Sequence, residues 1–225
     1  MTSAPPGQTA DERRSARKRR AIIEAASAAF LTHGYRGTSM DAVAAAAGVS
    51  KQTVYQHFGD KQRLFRELIA ATVQAASDPI YDEVRRLSDS GSLENDLRDL
   101  ARRLLTLVLR PTMMRLRRLV IAEARQFPDL GRVFYDLGPG RTIAALADTF
   151  AELTRQGRLD APDATLAATQ FNWLVISAPL NQAMLLGQDD APTTREINIW
   201  ADSGVRTFLA AYADHSSAGQ AAKQR

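Results

Sequence analysis

Two short helical segments joined by a single glycine constrain the fold of this chain more than any other feature. Residues 38–61 read TSMDAVAAAAGVSKQTVYQHFGDK, and Gly48 separates an alanine-rich segment from one with several polar side chains. Glycine permits the left-handed backbone conformation that ends one helix, and Ser50 has the short polar side chain that caps the next. The spacing is typical of a helix-turn-helix, expected over residues 39–58, which lays its second helix in a DNA major groove.

Composition limits the remaining classes of function. The 225 residues include no cysteine, which excludes disulfides, thiolate metal sites and cysteine nucleophiles. No apolar run approaches the roughly 18 residues needed to cross a bilayer, and residues 1–12 lack the apolar segment of a secretory signal. We therefore expect a cytoplasmic protein without a membrane partner.

The basic residues are concentrated near the amino terminus. Residues 1–77 contain eleven Lys or Arg and six Asp or Glu, whereas residues 78–225 contain eighteen and nineteen. A phosphate-facing surface requires such an excess of positive charge. Six cations fall over residues 13–20, before the first helix is well established, and Arg17 and Arg20 are the candidates for DNA contacts among them. The alternative is a solvated tail.

Almost all of the remaining chain reads as helix, because Ala, Leu and Arg are abundant and no segment alternates with period two. The pattern predicts an all-α fold of nine or ten helices. The predicted helices cover 14–33, 38–47, 51–58, 60–77, 93–109, 112–126, 140–156, 162–186 and 193–212, with a short helical turn between 128 and 137. The helix from residue 60 either stops near Ser77 or continues through Pro79 to Leu87, since proline suits both outcomes.

A domain boundary is expected near residue 77. The predicted organisation is a disordered tail, a DNA-binding domain, a ligand-binding and dimerisation domain, and a flexible tail, over 1–12, 13–77, 78–213 and 214–225. Within the DNA-binding domain, Gly34 is expected to end the first helix. The second helix is expected to begin at Thr38, because Thr38 and Asp41 have capping-box spacing. Its exposed hydroxyl and the neighbouring amides would suit a phosphate.

The third helix has a polar side that could read DNA. Val54 and Phe58 lie one turn apart and should face the core, which leaves the polar residues outside. Gln52 can pair with an adenine edge, and Thr53 can contact a thymine methyl or a phosphate. The other predicted contacts complete this surface: Lys51, Tyr55, Gln56, His57 and Lys61. The alternative is a helical subdomain whose polar stripe is merely solvated.

Apolar residues of the second domain could enclose a small apolar or amphipathic ligand. The candidates for this pocket are Met113, Met114, Phe127, Phe134, Phe150, Phe171, Asn172 and Trp173. Asn172 would orient a polar group of the ligand. Arg115, Arg117 and Arg118 could bind an anion, and the alternative is a solvated helix face paired with Glu123.

The last two predicted helices are apolar on more than one side, so each needs a partner besides its own core. A four-helix interface between two copies would provide that partner, and a two-fold dimer matches a palindromic operator. The predicted interface residues are Leu166, Gln170, Trp173, Ser177, Ile197, Ala201, Gly204 and Phe208. The alternative is that both helices belong to the core of a monomer.

Residues 16–76 resemble the N-terminal domain of the tetracycline-repressor (TetR) family of transcriptional regulators. The matching elements are Ala29-Phe30, Gly34-Tyr35, Thr38-Ser39-Met40, Ala46-Ala47-Gly48-Val49-Ser50, Thr53-Val54-Tyr55, His57-Phe58, Lys61 and Leu64-Phe65. From Leu97 onward the chain is similar to the C-terminal domain of AefR-like members, most clearly over 117–124 and 127–130.

This resemblance implies an all-helical homodimer that binds a near-palindromic operator and usually represses until a small ligand is bound. The residues that it implies as DNA contacts are Thr38, Lys51, Thr53, Tyr55, His57 and Lys61. Gln52 departs from the Gly or Ala common in the family, so a longer side chain should add base contacts or exclude some operators.

An enzyme and a protein-interaction module are the rival classes. The chain has only three histidines, and it contains no glycine-rich phosphate loop, metal-ligand cluster or nucleophile elbow. We therefore predict no catalytic residue, metal or cofactor. An interaction module whose helix-turn-helix no longer binds DNA is not expected to keep the set Lys51, Tyr55, His57 and Lys61.

Overall fold

The computed structural model describes residues 9–89, 91–187 and 191–214, and these residues form an all-α protein. The ten α-helices in them are α1 (Ala10–Gly37), α2 (Met40–Ala47), α3 (Lys51–Phe58), α4 (Lys61–Arg86), α5 (Leu93–Val108), α6 (Pro111–Ala124), α7 (Pro128–Tyr135), α8 (Arg141–Arg155), α9 (Ala164–Leu186) and α10 (Thr194–Tyr212). The described residues include no strand, only an isolated bridge between Leu159 and Ala213. The predicted fold class is confirmed.

Helix α1 starts earlier than the sequence predicted. Thr9 caps it, because the Thr9 side chain accepts from the backbone amide of Glu12 and the Glu12 carboxylate accepts from the amide of Thr9 at 2.7 Å. Residues 10–12 are therefore helical rather than part of a tail, and residues 13–20 lie well inside the helix. The rest of the predicted tails, residues 1–8 and 215–225, lies outside the described residues.

Helix α4 follows the longer of its two predicted alternatives. It runs from Lys61 to Arg86 with Pro79 inside it. Proline removes one backbone hydrogen bond from a helix, but Ile80 and Val84 bury the next turns against the core. Another difference follows α7, where residues 136–140 form a π-helical turn that leads into α8, although the sequence predicted a helical turn that ends by residue 137.

The chain separates into two compact units, which we call the head (residues 9–72 and 119–133) and the body (residues 73–118 and 134–214). The predicted domain boundary at residue 77 stays a prediction. The head has an aromatic core in which the rings of Phe30 and Tyr35 lie 4.8 and 5.4 Å from that of Phe65. Phe127 contacts Tyr35 at 5.2 Å, which packs the segment 119–133 into the head.

The body is organised around a second aromatic cluster. The rings of Phe150, Phe171 and Phe208 lie 5.1–5.8 Å apart, and all three side chains are fully buried. Helices α9 and α10 approach closely at Gly204, where a Cβ atom would lie 3.1 Å from Cγ2 and 3.2 Å from Cα of Val175. Gly204 thus permits a close approach of two helices within one subunit.

Candidate DNA interface and ligand cavity

Local capping fixes the helix-turn-helix of the head. The Ser39 hydroxyl accepts from the amide of Ala42 at the start of α2, and the Ser50 hydroxyl accepts from the amide of Thr53 at the start of α3. Gly48 lies between the helices with φ of 64°, in the left-handed region that the turn requires. These contacts hold α3 in one orientation relative to α2.

Helix α3 presents the outward side that its sequence predicted. Val54 and Phe58 are buried, whereas the four residues of the stripe are exposed: Lys51, Gln52, Tyr55 and Gln56. Tyr55 has 42% of its surface exposed although it is a large aromatic residue. Thr53 and His57 are half-buried at the edge of this stripe, and the Thr53 hydroxyl lies 2.8 Å from that of Ser50.

Lys51 is exposed but already has an acidic neighbour. Its ammonium lies 2.9 Å from the carboxylate of Asp41, in the first turn of α2. The hydrogen bond to Asp41 raises the pKa of Lys51, so the amine stays protonated. Both side chains face solvent, so the pair is weak, and a DNA phosphate could replace Asp41 as the partner of Lys51.

Lys61 has a structural role that the sequence did not reveal. Its ammonium donates to the carbonyl oxygens of Tyr35 and Thr38, each at 3.0 Å, and lies 4.5 Å from the centre of the Tyr35 ring. These bonds tie the start of α4 to the end of α1. An ammonium has three donors, so one remains for a phosphate.

The expectation of an exposed Thr38 is wrong. Only 3% of Thr38 is accessible, and its hydroxyl donates to the carbonyl oxygen of Gly34 at 2.8 Å. Ser39 rather than Thr38 caps α2, one residue later than the capping-box spacing suggested. The hydroxyl of Thr38 therefore closes the turn after α1 instead of presenting itself to a phosphate.

The cations of α1 divide between different faces of the helix. Arg14 and Lys18 line a shallow groove beside Gln56 and His57 of α3. Arg17 and Arg20 are exposed, and helical periodicity puts them opposite the buried face. Arg14 and Lys18 thus share a groove with α3, and the guanidinium carbon of Arg19 lies 5.4 Å from the centre of the Phe58 ring at the end of α3, although the sequence favoured Arg17 and Arg20. Arg14 and Lys18 are four residues apart, so they lie on the same side of a helix that begins at Ala10. This spacing is the signal in the sequence that could have identified them.

A small, mainly apolar cavity lies in the body, with a volume of about 40 Å³. Four of the eight predicted pocket residues line it: Met113, Phe134, Asn172 and Trp173. Phe150 and Phe171 belong to the aromatic cluster instead, Phe127 packs in the head, and Met114 is part of the body core. Those four assignments are therefore corrected, because these side chains do not line the cavity.

Arg117 also lines this cavity. The sequence had left two alternatives for this residue, an anion site and a solvated helix face. The guanidinium carbon of Arg117 lies 5.0 Å from the centre of the Phe134 ring, and its buried Nε atom makes no hydrogen bond with the described residues. Burial lowers the pKa of Arg117. The neighbouring Arg118 differs, since it donates to the carbonyl oxygen of Ala183 at 2.9 Å. Arg117 is thus half-buried against the cavity rather than fully solvated.

The predicted interface residues fall into two groups. On α9, Leu166 and Gln170 are exposed, while Trp173 and Ser177 are half-buried on the same side. On α10, Ala201, Gly204 and Phe208 are buried within the subunit. A buried side chain leaves no surface for a second copy, so their assignment to a dimer interface is corrected. Ile197 is half-buried, and the exposed apolar residues of α10 are Ile199 and Trp200.

Comparisons with known proteins agree with this architecture. Residues 22–68 match the family described as bacterial regulatory proteins of the tetR family, and residues 95–214 match the AefR-like transcriptional repressor C-terminal domain. Within the described residues, no helix has the length and apolar character needed to cross a membrane. No group of three or more described His, Asp or Glu residues could hold a metal ion.

Two solved structures are similar over most of the chain. A TetR-family transcriptional regulator from Mesorhizobium loti is 42% identical, with a TM-score of 0.84 over 89% of this chain and 98% of that one. The flavonoid-responsive regulator FrrA is 35% identical, with a TM-score of 0.73 over 89% of this chain and 100% of that one.

Curated relatives match over a shorter region. The repressor AcnR of Corynebacterium glutamicum is 36% identical over 72 residues, which are 30% of this chain and 38% of AcnR. The matched region spans about a third of the length of such curated relatives. The two family matches together cover both units, and the Mesorhizobium loti likeness extends over almost the entire fold. This chain belongs to the TetR family of transcriptional regulators and carries an AefR-like C-terminal domain.

Proposed function

We propose that this protein binds a near-palindromic DNA operator as a homodimer and represses transcription until a small ligand binds the body. The observation that carries the proposal is the exposed polar stripe of α3, held by the caps at Ser39 and Ser50. Exposed polar side chains on one side of a helix are available for base edges and phosphates, and the solvent-exposed pair of Lys51 with Asp41 can be exchanged for a pair with a phosphate. A regulator of this kind would act in the cytoplasm and would need no catalytic group.

The available side chains divide naturally between reading bases and holding phosphates. Gln52 and Gln56 carry amides that can pair with base edges. Lys51, Arg14 and Lys18 flank them with positive charge, so they would hold the phosphates on either side of the groove. His57, Thr53 and the remaining donor of Lys61 would complete this contact surface.

Exposed apolar side chains on α9 and α10 support a homodimer. Leu166 and Leu174 of α9 have 49% and 43% of their surface exposed, and Ile199 and Trp200 of α10 are also exposed. Apolar faces of this kind mark protein–protein contacts. A two-fold axis through them would pair two heads, as a palindrome requires. In sedimentation velocity, Leu174→Lys should shift the protein towards monomer, whereas Ala144→Lys on α8 should not.

Helix α4 supplies a route for ligand response. Val73 and Ser77 of α4 line the body cavity, and the same helix begins in the head at Lys61. A ligand that binds one position of α4 better than another would shift the population of head arrangements. Unequal head spacing in operator-bound and ligand-bound dimers is the expected result, and equal spacing would remove this mechanism.

Fluorescence anisotropy with labelled DNA from upstream of the protein's own gene tests the central proposal. The complex should resist competitor DNA and weaken more than about a hundredfold between about 50 and about 200 mM salt, because phosphate contacts release counterions. Tyr55→Ala should lower affinity roughly ten- to hundredfold with unchanged thermal stability. Tyr135→Ala removes a tyrosine of similar exposure from the body and should leave affinity unchanged. Equal losses in the two variants would contradict the assigned surface.

A further inference from the structure

The body cavity contains a positive charge without a negative partner. Arg117 lines this cavity, and within the described part of the chain its buried Nε atom has no hydrogen-bond partner and no acidic side chain lines the cavity. The ring of Phe134 offers the guanidinium a cation–π contact at 5.0 Å, which compensates only part of the lost hydration. Charged groups withdrawn from water in proteins are normally paired and hydrogen-bonded, and the half-buried Arg117 side chain therefore keeps a donor at Nε that an anion could satisfy.

A second polar group in the same cavity also lacks a partner. Asn172 is only 2% exposed, and its Nδ2 atom makes no hydrogen bond with the described residues. Native proteins leave few buried donors unsatisfied, and each one requires a specific explanation. Arg117 and Asn172 line one cavity of about 40 Å³, and both offer donors to it. An acceptor with two oxygens would satisfy both.

The other residues that line the body cavity indicate the chemistry of the rest of the ligand. They are largely apolar, and they include Leu104, Val108, Met113, Phe134, Trp173 and Ile176. A volume of about 40 Å³ holds little more than one water molecule, so an apolar group must open the cavity further. The wall can yield at Met113, whose side chain is flexible, and at Pro139 in the π-helical turn.

We infer that the body cavity binds an amphipathic monocarboxylate, whose oxygens accept hydrogen bonds from Arg117 and Asn172 while its apolar part packs against Trp173 and Phe134. A single guanidinium suits a monoanion rather than a dianionic phosphate, because only one positive charge is available. This inference rests on the proposed ligand response and specifies the chemistry that the ligand must have.

Trp173 provides a direct binding signal, because the chain has only two tryptophans and Trp200→Phe leaves it alone. Trp200 belongs to the proposed dimer surface, so sedimentation velocity should first show that this conservative change keeps the oligomeric state. In this background, emission should be titrated with butyrate, hexanoate, octanoate and benzoate, and with 1-octanol and benzyl alcohol as uncharged matches. At least one carboxylate should saturate the change and bind at least about tenfold more tightly than its alcohol, since hydrogen bonds to charged groups are the strong ones. Absence of saturation by every carboxylate, or equal binding of alcohol and acid, would overturn the inference.

Variants of the cavity connect this preference to named side chains. Arg117→Gln should remove the preference for the carboxylate, whereas Arg115→Gln, an exposed arginine of the same helix, should keep it. Asn172→Asp would supply the missing anion from within the protein. It should raise the melting temperature of the ligand-free protein and abolish carboxylate binding. A preference that survives Arg117→Gln, or an Asn172→Asp protein that melts lower and still binds carboxylate, would refute the pairing.

Anisotropy with operator DNA separates this inference from the proposed function. Ligand-free Arg117→Gln should bind operator like the wild type, and the best carboxylate should release wild-type protein but not the variant. Specific DNA binding that no carboxylate weakens would overturn the inference and leave the proposed DNA binding standing. Wild-type protein that binds no operator, yet prefers carboxylates through Arg117, would overturn the proposed function alone.

Discussion

The head and the body use polar side chains in opposite ways. In the head, short helices are fixed by local caps at Ser39 and Ser50, and the polar residues of α3 face outward. In the body, long helices are held by contacts between distant segments, and Arg117 and Asn172 line a small cavity. The proposed DNA-reading surface of the head can therefore change at little cost in stability, whereas the proposed ligand site of the body is part of its core.

The largest expected effect lies in the body core. Phe208→Ala removes a fully buried ring that contacts Phe150, Phe171 and Tyr212. Replacing a large aromatic residue in a core typically costs about 3–5 kcal/mol in the free energy of unfolding. Urea denaturation followed by circular dichroism measures this loss. Thr207→Ala, at the adjacent exposed position, should change stability by less than about 1 kcal/mol, and similar losses in both variants would break the comparison.

A smaller effect is expected where α9 and α10 approach each other. Gly204→Ala introduces a Cβ atom about 3.1 Å from Val175 Cγ2, which forces the helices apart. Overpacking costs about 1–3 kcal/mol, while replacing glycine in a helix returns roughly 1 kcal/mol. We expect a net loss on the order of 1 kcal/mol in the free energy of unfolding.

Val175→Ala offers a test of this explanation, because it removes the Cγ2 atom that the new methyl group would meet. The double variant should show a favourable coupling energy in a double-mutant cycle measured by urea denaturation. Simple additivity of the two single changes would mean that the helices do not constrain each other at Gly204.

The head and the body also differ in how much of their structure the sequence predicted. The turn at Gly48, the bounds of α3 and the exposed stripe were predictable, because capping and helical periodicity act within a few residues. The burial of Ala201 and Phe208 within the subunit was not predictable, because the sequence of a helix that is apolar on several sides does not reveal which side packs against its own subunit. The burial of Arg117 likewise depends on Phe134 and α9, which are distant in sequence.

Lys61 should separate structural support from DNA contact within the head. Lys61→Met removes the ammonium that bonds the carbonyl oxygens of Tyr35 and Thr38, and each such bond contributes about 1 kcal/mol. The variant should therefore melt at a lower temperature and also lose operator affinity. Tyr55→Ala should lose affinity alone. Thermal unfolding and anisotropy on both proteins provide the measurement, and an unchanged melting temperature for Lys61→Met would show that these bonds do not support the head.

The smallest expected effect concerns Asp41, which lies 2.9 Å from the ammonium of Lys51. Asp41→Asn removes a negative charge beside the DNA-facing stripe and releases Lys51 for a phosphate. Operator affinity should rise by a few-fold at low salt, and the slope of log K against log salt should steepen by up to about one unit. Glu24→Gln makes the same charge change elsewhere on the head and serves as the control. Glu24 lies on the exposed side of α1 that bears Arg17, opposite the buried face of the helix. This variant should leave the operator affinity and the salt slope nearly unchanged. If the two variants gain affinity equally, the gain reflects net charge of the head rather than the local pair. If only Asp41→Asn gains, Lys51 contacts the operator directly, and the exterior of the head can be tuned one side chain at a time.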